Sequence, residues 1–296
     1  MGLPSISVVI GVKNVQNSID KTLDSILSQE GVDLEVIIVN DGSSDNTETI
    51  LQQKSLLDSR IRLLSRENRG LTISLIEGCS LASGEFIARH DANDISLPGR
   101  LAHQVELLKL HPDASFCSTY VRHVTKEGYE AMITKEEGII HGSVMMRRSN
   151  YTRVGGYRKE FYYTQDLDLW SRLSETGTHI VLPHVYYEGL MFPDSISATK
   201  MKEQSRYSYL ISKMIAARKE GKPDDFWLDK AAELSKKCKQ KINSERNYAN
   251  GAYFIGSCLL KANPLIAKEY FTDALRHDIT HIRARLKLAK LLCSYQ

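Results

Sequence analysis

Four short apolar runs, Ile6–Ile10, Val36–Val39, Ile61–Leu64 and Phe86–Ala88, alternate with stretches of helical spacing. This rhythm leaves few folds open. Near-continuous apolar strands need cover on both faces, and strand–helix–strand alternation makes them parallel with right-handed crossovers. The first helix carries Ile19, Leu23, Ile26 and Leu27 behind an Asn17-Ser18 cap. The second opens at Ser44-Asp45-Asn46-Thr47 and runs through Ile50-Leu51, and the third, Gly70–Leu81, spaces Leu71, Leu75 and Cys79 on one side. Pro98 opens a longer helix with Leu101, Val105 and Leu108, closed by His111-Pro112. The predicted class is α/β, a mainly parallel sheet flanked by helices.

The middle of the chain predicts strands over Ser115–Thr125, Val144–Arg147 and His179–Tyr187, with a helix over Asp166–Leu173. The polar segment Lys126–Glu137 reads as a flexible loop. After about Ala198 strand signals cease, and helical spacing runs through Trp227–Cys238, Tyr248–Leu260, Pro264–Leu275 and Ile282–Leu292, with a joint at Gly221–Asp225. Two domains are expected, 1–198 and an all-helical 199–296. The pair from Ala252 to Leu275 resembles one tetratricopeptide unit, but about three repeats are normally needed for a stable array. A plain bundle is the stronger reading, and it could dimerise or bind a protein partner. The basic run Lys236–Lys241 suits either anionic lipid headgroups or a solvated helix face.

A chain of 296 residues with 42% hydrophobic and 25% charged residues is that of a soluble globular protein. A net charge of +3 is too small to argue for nucleic acid by itself, and no nucleic-acid partner is expected. Five scattered cysteines without a CxxC pair point to reduced thiols, hence a cytoplasmic protein. Met1–Ile10 has no basic n-region, and no apolar run reaches the roughly 18 residues of a membrane span. Membrane contact would be peripheral, at the inner face of the cell membrane.

Two strands end in acidic turns. Val36–Val39 runs into Asn40-Asp41-Gly42, and Phe86–Ala88 into His90-Asp91-Ala92-Asn93-Asp94. Ligands of open α/β sheets bind outside the carboxyl ends of strands, so Asp41, Asp91 and Asp94 stand where a ligand is met. Carboxylates gathered there suit hydroxyl hydrogen bonding or a hard cation carrying phosphates.

The ordered blocks Ile6–Asn14, Val36–Thr47, Asn68–Pro98 and His141–Leu173 resemble the family 2 glycosyltransferases, over roughly residues 5–198. The resemblance implies a GT-A fold, a nucleotide-sugar donor and inversion at the anomeric carbon, in surface polysaccharide synthesis on a glycan or lipid-linked acceptor. It implies donor contacts from Val12, Asn14, Asp41, Asn68, Asp91 and Ala92, with Asp41 reading the base. Asp91 and Asn93 match the DxD region that would hold Mg²⁺ or Mn²⁺, and Asp166 matches the general base. His141–Val144 matches a strand beside the acceptor face, and Gly155-Gly156-Tyr157 the turn leading into the base segment.

An inverting displacement needs one carboxylate to take the acceptor's proton. Asp166 sits at a helix N-terminus, where the dipole favours its ionised form, while Asp168 faces elsewhere and suits a cap or salt bridge. Lys13, Arg147 and Arg148 are candidate cationic helpers, although an ordinary surface Arg or Lys is the stronger reading for each. Three positions depart from the family pattern. Asn93 replaces the metal-binding Asp, Phe192 a His, and Lys13 the aromatic that stacks on the base. They motivate a second reading, a catalytically weak scaffold.

Overall fold

The computed structural model describes residues 5–136, 138–239 and 245–293. Among them one sheet holds β1 (Ile6–Val12), β2 (Leu34–Asp41), β3 (Ile61–Arg66), β4 (Phe86–Arg89), β5 (Ile95–Ser96), β6 (Ala114–Thr125), β7 (Glu130–Thr134), β8 (Met145–Arg147) and β9 (Thr178–Met191). The first helices are α1 (Ile19–Leu27), α2 (Thr47–Leu57), α3 (Leu71–Ser80), α4 (Arg100–Leu110), α5 (Arg148–Arg153) and α6 (Gln165–Leu173). They are followed by α7 (Ile196–Thr199), α8 (Met201–Lys219), α9 (Asp225–Lys239), α10 (Glu245–Leu259), α11 (Pro264–His277) and α12 (Ile282–Cys293).

The strand order is β3-β2-β1-β4-β8-β6-β9-β5, with β7 on the outside of β6. The first four strands in this order are parallel. Alternation along them sends Val8, Ile10, Val36 and Ile38 to one face, against Ile19, Leu23 and Ile26 of α1. Val9, Ile37 and Ile87 go to the other, against Leu75 and Cys79 of α3 and Leu169 and Trp170 of α6. Both faces are covered, as the apolar runs require. β1 lies between β2 and β4, so the turns after all three open on one edge.

Beyond β4 the sheet becomes mixed: β8 is antiparallel to β4 and β6, while β9 runs parallel to β6. Two short strands escaped the sequence. β5 is only Ile95-Ser96, and β7 turns the polar segment after Lys126 into a hairpin on β6. An edge strand with one solvated face reads as polar, which is why that stretch looked like a loop. Its last residue, Glu137, lies outside the described residues. The strand expected from His141 also begins late, because His141–Ser143 is a 3₁₀ turn and pairing starts at Met145.

The C-terminal helices share core with the sheet side of the molecule. Tyr207, Ile211 and Met214 of α8 and Ala231 of α9 enclose Phe161 and Tyr163. Ser235 of α9 accepts from the Tyr162 amide at 3.0 Å and donates to the Glu160 carbonyl at 2.6 Å. Farther on, Ile255 and Leu259 of α10 pack with Phe271 of α11 and with Ala131 and Met191 of the sheet. Lys236 and Lys237 are exposed on α9, whereas Gln240 and Lys241 of the basic run lie outside the described residues. Among the described residues no helix is long and apolar enough to cross a membrane.

Candidate active site

The turns after β1 and β2 are laced together. Asn14, with φ 53°, accepts from the Ser44 amide at 2.8 Å and gives its own amide to Ser43 Oγ at 3.0 Å. Asp45 accepts from the Gln16 amide at 3.2 Å and the Thr47 amide at 3.0 Å. Gly42 has φ 68°, and a Cβ there would stand 2.7 Å from the Asn68 amide nitrogen. A side chain at 42 would push the β2 turn off the β3–α3 loop.

Asp41 is buried at the end of β2. Its carboxylate accepts from the backbone amides of Arg69 (2.8 Å) and Gly70 (2.9 Å) and from the Arg66 guanidinium. A carboxylate offers about four lone-pair directions, so these donors leave it room for about one more. Asn68 braces the same loop, accepting from the Gly70 amide at 3.2 Å. Val12 is buried in the strand, and Lys13 is exposed beside it.

Across β1, the end of β4 is organised by a residue the sequence did not single out. Arg89 is fully buried, and its guanidinium donates to the Val9 carbonyl, to Asp91 at 2.8 Å and to His141 Nε2 at 3.1 Å. Tyr157 Oη lies 2.7 Å from the same nitrogen. Burial, then the Arg89 charge, holds the His141 pKa well below the usual histidine value, so the imidazole is neutral. Asp91 is 40% exposed at its side chain and follows directly on this buried network. An Arg at a strand end reads as solvated; its buried role depends on β1 and the His141 turn, which no local pattern reports.

The acidic turn divides. Ala92 gives its carbonyl to Thr22 Oγ1 at 3.0 Å, and Asn93 Oδ1 accepts from Ser18 Oγ at 2.6 Å. Ser18 therefore ties α1 to this turn and makes no side-chain cap on α1, contrary to expectation. Asp94 is not available to a ligand as the sequence suggested. It is buried, accepts from the Leu190 amide at 2.9 Å, and is pushed up to about 8 by burial and then by the Asp91 charge. Beneath it Arg100, also fully buried, donates to the carbonyls of Arg89 (2.9 Å) and Gly142 (2.7 Å).

Asp166 stands in the first turn of α6, half-buried, after Gly155 and Gly156 (φ 77° and 67°) and after Thr164 in the left-handed region at φ 62°. A β-branched residue there is strained by roughly 1–3 kcal/mol. The helix dipole was expected to keep Asp166 easily ionised. Its pKa is instead raised, first by burial and further by the charge of Asp91, while helix-start amides and Arg89 oppose the shift. Asp168 is the anchor, fully buried and 2.5 Å from Arg172, with Arg158 at 3.6 Å. Arg158 and Arg218 both reach Asp224, at 2.9 and 2.7 Å, carrying the ion-pair chain into α8 and the start of α9.

Arg147 and Arg148, weighed as helpers, are elsewhere. Arg147 pairs with Phe86 at the opposite end of β4 and donates to the Ala114 carbonyl at 2.8 Å, and Arg148 donates to the Gly84 carbonyl at 2.6 Å. A divalent cation finds a thin donor set here. One Asp91 oxygen holds Arg89, Asn93 already accepts from Ser18, and no group of three His, Cys, Asp or Glu converges among the described residues. That set fits a Mg²⁺-like ion that keeps waters and takes phosphate oxygens, and not a preformed protein cage.

Residues 7–167 match the family model described as "Glycosyl transferase family 2". Over 189 residues the chain is 32% identical to EpsE of Bacillus subtilis (strain 168), whose name assigns it to the glycosyltransferases; the match covers 59% of this chain and 68% of that one. It is 27% identical over 224 residues to the hyaluronan synthase of Pasteurella multocida, covering 71% of this chain but 23% of the synthase. Among solved structures, S. aureus TarS 1-349 in complex with UDP-GlcNAc superposes with a TM-score of 0.61 at 15% identity, covering 98% of this chain and 91% of that one. The mannosyltransferase PcManGT from Pyrobaculum calidifontis, in complex with GDP-Man and Mn²⁺, gives 0.58 at 16% identity, with 98% and 86% covered. These neighbours share the GT-A fold.

Proposed function

Since the chain belongs to glycosyl transferase family 2, we propose that it moves a sugar from a nucleotide-sugar donor to a hydroxyl of a glycan or glycolipid. The observation that carries this reading is Asp166, half-buried at the start of α6, with its proton affinity raised by burial and by the charge of Asp91. A carboxylate in that state takes a proton better than a solvated one, as a general base must. The acceptor oxygen attacks the anomeric carbon, its proton passes to Asp166, and the bond to the diphosphate breaks on the opposite face. The sugar is inverted.

On the donor side, the remaining acceptor direction of Asp41 suits a base N–H, for which uracil makes a UDP-sugar the first choice. Asn14 and Asn68 fix the two loops around it, Val12 backs them from the strand, and Asp91 and Ala92 lie at the ribose and diphosphate end. Mg²⁺ or Mn²⁺, held by Asp91 and Asn93, would offset the charge gathering on the leaving diphosphate. The likeness to a hyaluronan synthase supports a polysaccharide product, for which a surface glycan is the first choice.

The test is Asp166→Asn. Transfer should fall by about 10²–10⁴-fold, the usual contribution of a general base. Calorimetric titration with UDP, dTDP and GDP, each with and without Mn²⁺, should give the same affinities for variant and parent. Unimpaired transfer by the variant removes Asp166 from the mechanism, and failure of the parent to bind any nucleotide removes the donor site.

A further inference from the structure

The outer face of the α8–α9 pair combines exposed aromatic rings with Lys and Arg. It forms an open groove of about 700 Å³ lined by Lys202, Arg206, Tyr209, Phe226, Trp227 and Lys230 among others. Tyr209 is 57% and Phe226 62% exposed. The residues stand in stripes. On α8, Lys202, Arg206, Tyr209 and Lys213 follow one another at four, three and four residues, and on α9 so do Phe226, Lys230, Leu234 and Lys237 at four, four and three. The cations lie against the rings, with Lys213 Nζ 5.3 Å from the Tyr209 centroid and Lys230 Nζ 5.8 Å from that of Phe226.

Acidic residues do little to cancel this charge. Glu233 pairs with Lys230 at 3.1 Å, and Glu203 of α8 is buried away from the groove. Residues 200–239 hold eleven Lys or Arg against six Asp or Glu, in a chain whose whole excess is +3.

We propose that this face docks on an anionic lipid bilayer. An occupant must offer negative charge at the rim and apolar matter at the floor, over the length of two helices. A bilayer does both, with phosphates above the acyl boundary. Aromatic rings settle at that depth while Lys and Arg lay their stems along the apolar layer and keep their charges at the phosphates. The hairpin's opposite face packs on Phe161 and Tyr163, just ahead of Asp166. Docking would therefore hold the transfer site close to acceptors that reside in a membrane. The inference does not depend on the transfer chemistry, and its failure leaves that reading standing.

The experiment is co-sedimentation of the whole chain with vesicles of phosphatidylcholine alone or mixed with phosphatidylglycerol, at low and physiological salt. The parent should bind only the anionic vesicles, and less as salt shortens the reach of the charges. Lys202→Glu, Arg206→Glu and Lys213→Glu combined should weaken partitioning on the order of a hundredfold or more. Tyr209→Ser with Phe226→Ser should also weaken it, and since both rings are already exposed, the fold should survive, as a thermal melt and nucleotide titration would verify. No association of the parent, or equal association with neutral vesicles, overturns the proposal. So does binding by the aromatic variant equal to the parent's, because charge without the groove would then suffice.

Discussion

Arg89 sets the chemistry of its neighbours by being buried. Its charge reaches Asp91, depresses His141 and opposes the upward shift of Asp166. The net direction for Asp166 remains upward, which fixes a pH prediction. Protonated Asp166 cannot accept the acceptor's proton, so kcat/KM should fall as pH drops through its pKa, and that acid limb should lie above the ordinary carboxylate range. A pH–rate profile checks this; a limb at or below the pKa of a solvated aspartate would contradict it. Asp41 and Asp91 could be picked out from sequence because each sits in the turn that ends a strand, where local pattern speaks, whereas Asp166 was pointed to by the family resemblance. Arg66, Arg89 and Tyr157 could not be read in this way. Each gains its role from a partner distant in the chain, Arg66 from Asp41, Arg89 from Val9 and His141, and Tyr157 from His141, met only after the sheet has formed. The same holds for Ser18, whose partner Asn93 is 75 residues away.

The strands and helices divide similarly. Most of those with a continuous apolar run or a full helical stripe were legible to within a few residues, but α5, α7 and α8 were given no bounds, the last being covered only by a general helical signal after Ala198. β5 and β7 were not legible, since two residues of strand or a solvated edge carry no periodic signal. Nor could sequence say where the C-terminal helices would pack. One contact shows how close that packing is: a Cβ at Gly251 of α10 would come within 1.8 Å of the Pro193 carbonyl oxygen. Gly251→Ala should force α10 off the segment between β9 and α7, costing about 1–3 kcal/mol. Urea denaturation measures it, and an unchanged midpoint would mean that α10 does not sit tightly there. The ion-pair chain from Asp168 through Arg158 and Asp224 to Arg218 ties α6 to the α8–α9 pair in the same spirit.

The two cores on either face of the sheet are closed within the first two-thirds of the chain, whereas Phe161, Tyr163, Ala131 and Met191 are covered by helices beyond residue 200. A chain ended at Thr199 should expose these side chains and melt at a lower temperature than the whole chain. A fragment that melts at the same temperature as the whole chain would make the helices an appendage, as the division at 198 first suggested. The sequence displayed the change of composition there but not the shared burial, which belongs to no single segment. The charge imbalance has a consequence for how the molecule travels. With five surplus positive charges on residues 200–239 and an overall excess of +3, the remainder is acidic by two. Near a negatively charged plane the two parts are pulled in opposite senses, so the protein experiences a torque and turns before it touches. First encounters would then be oriented, with the basic helices leading.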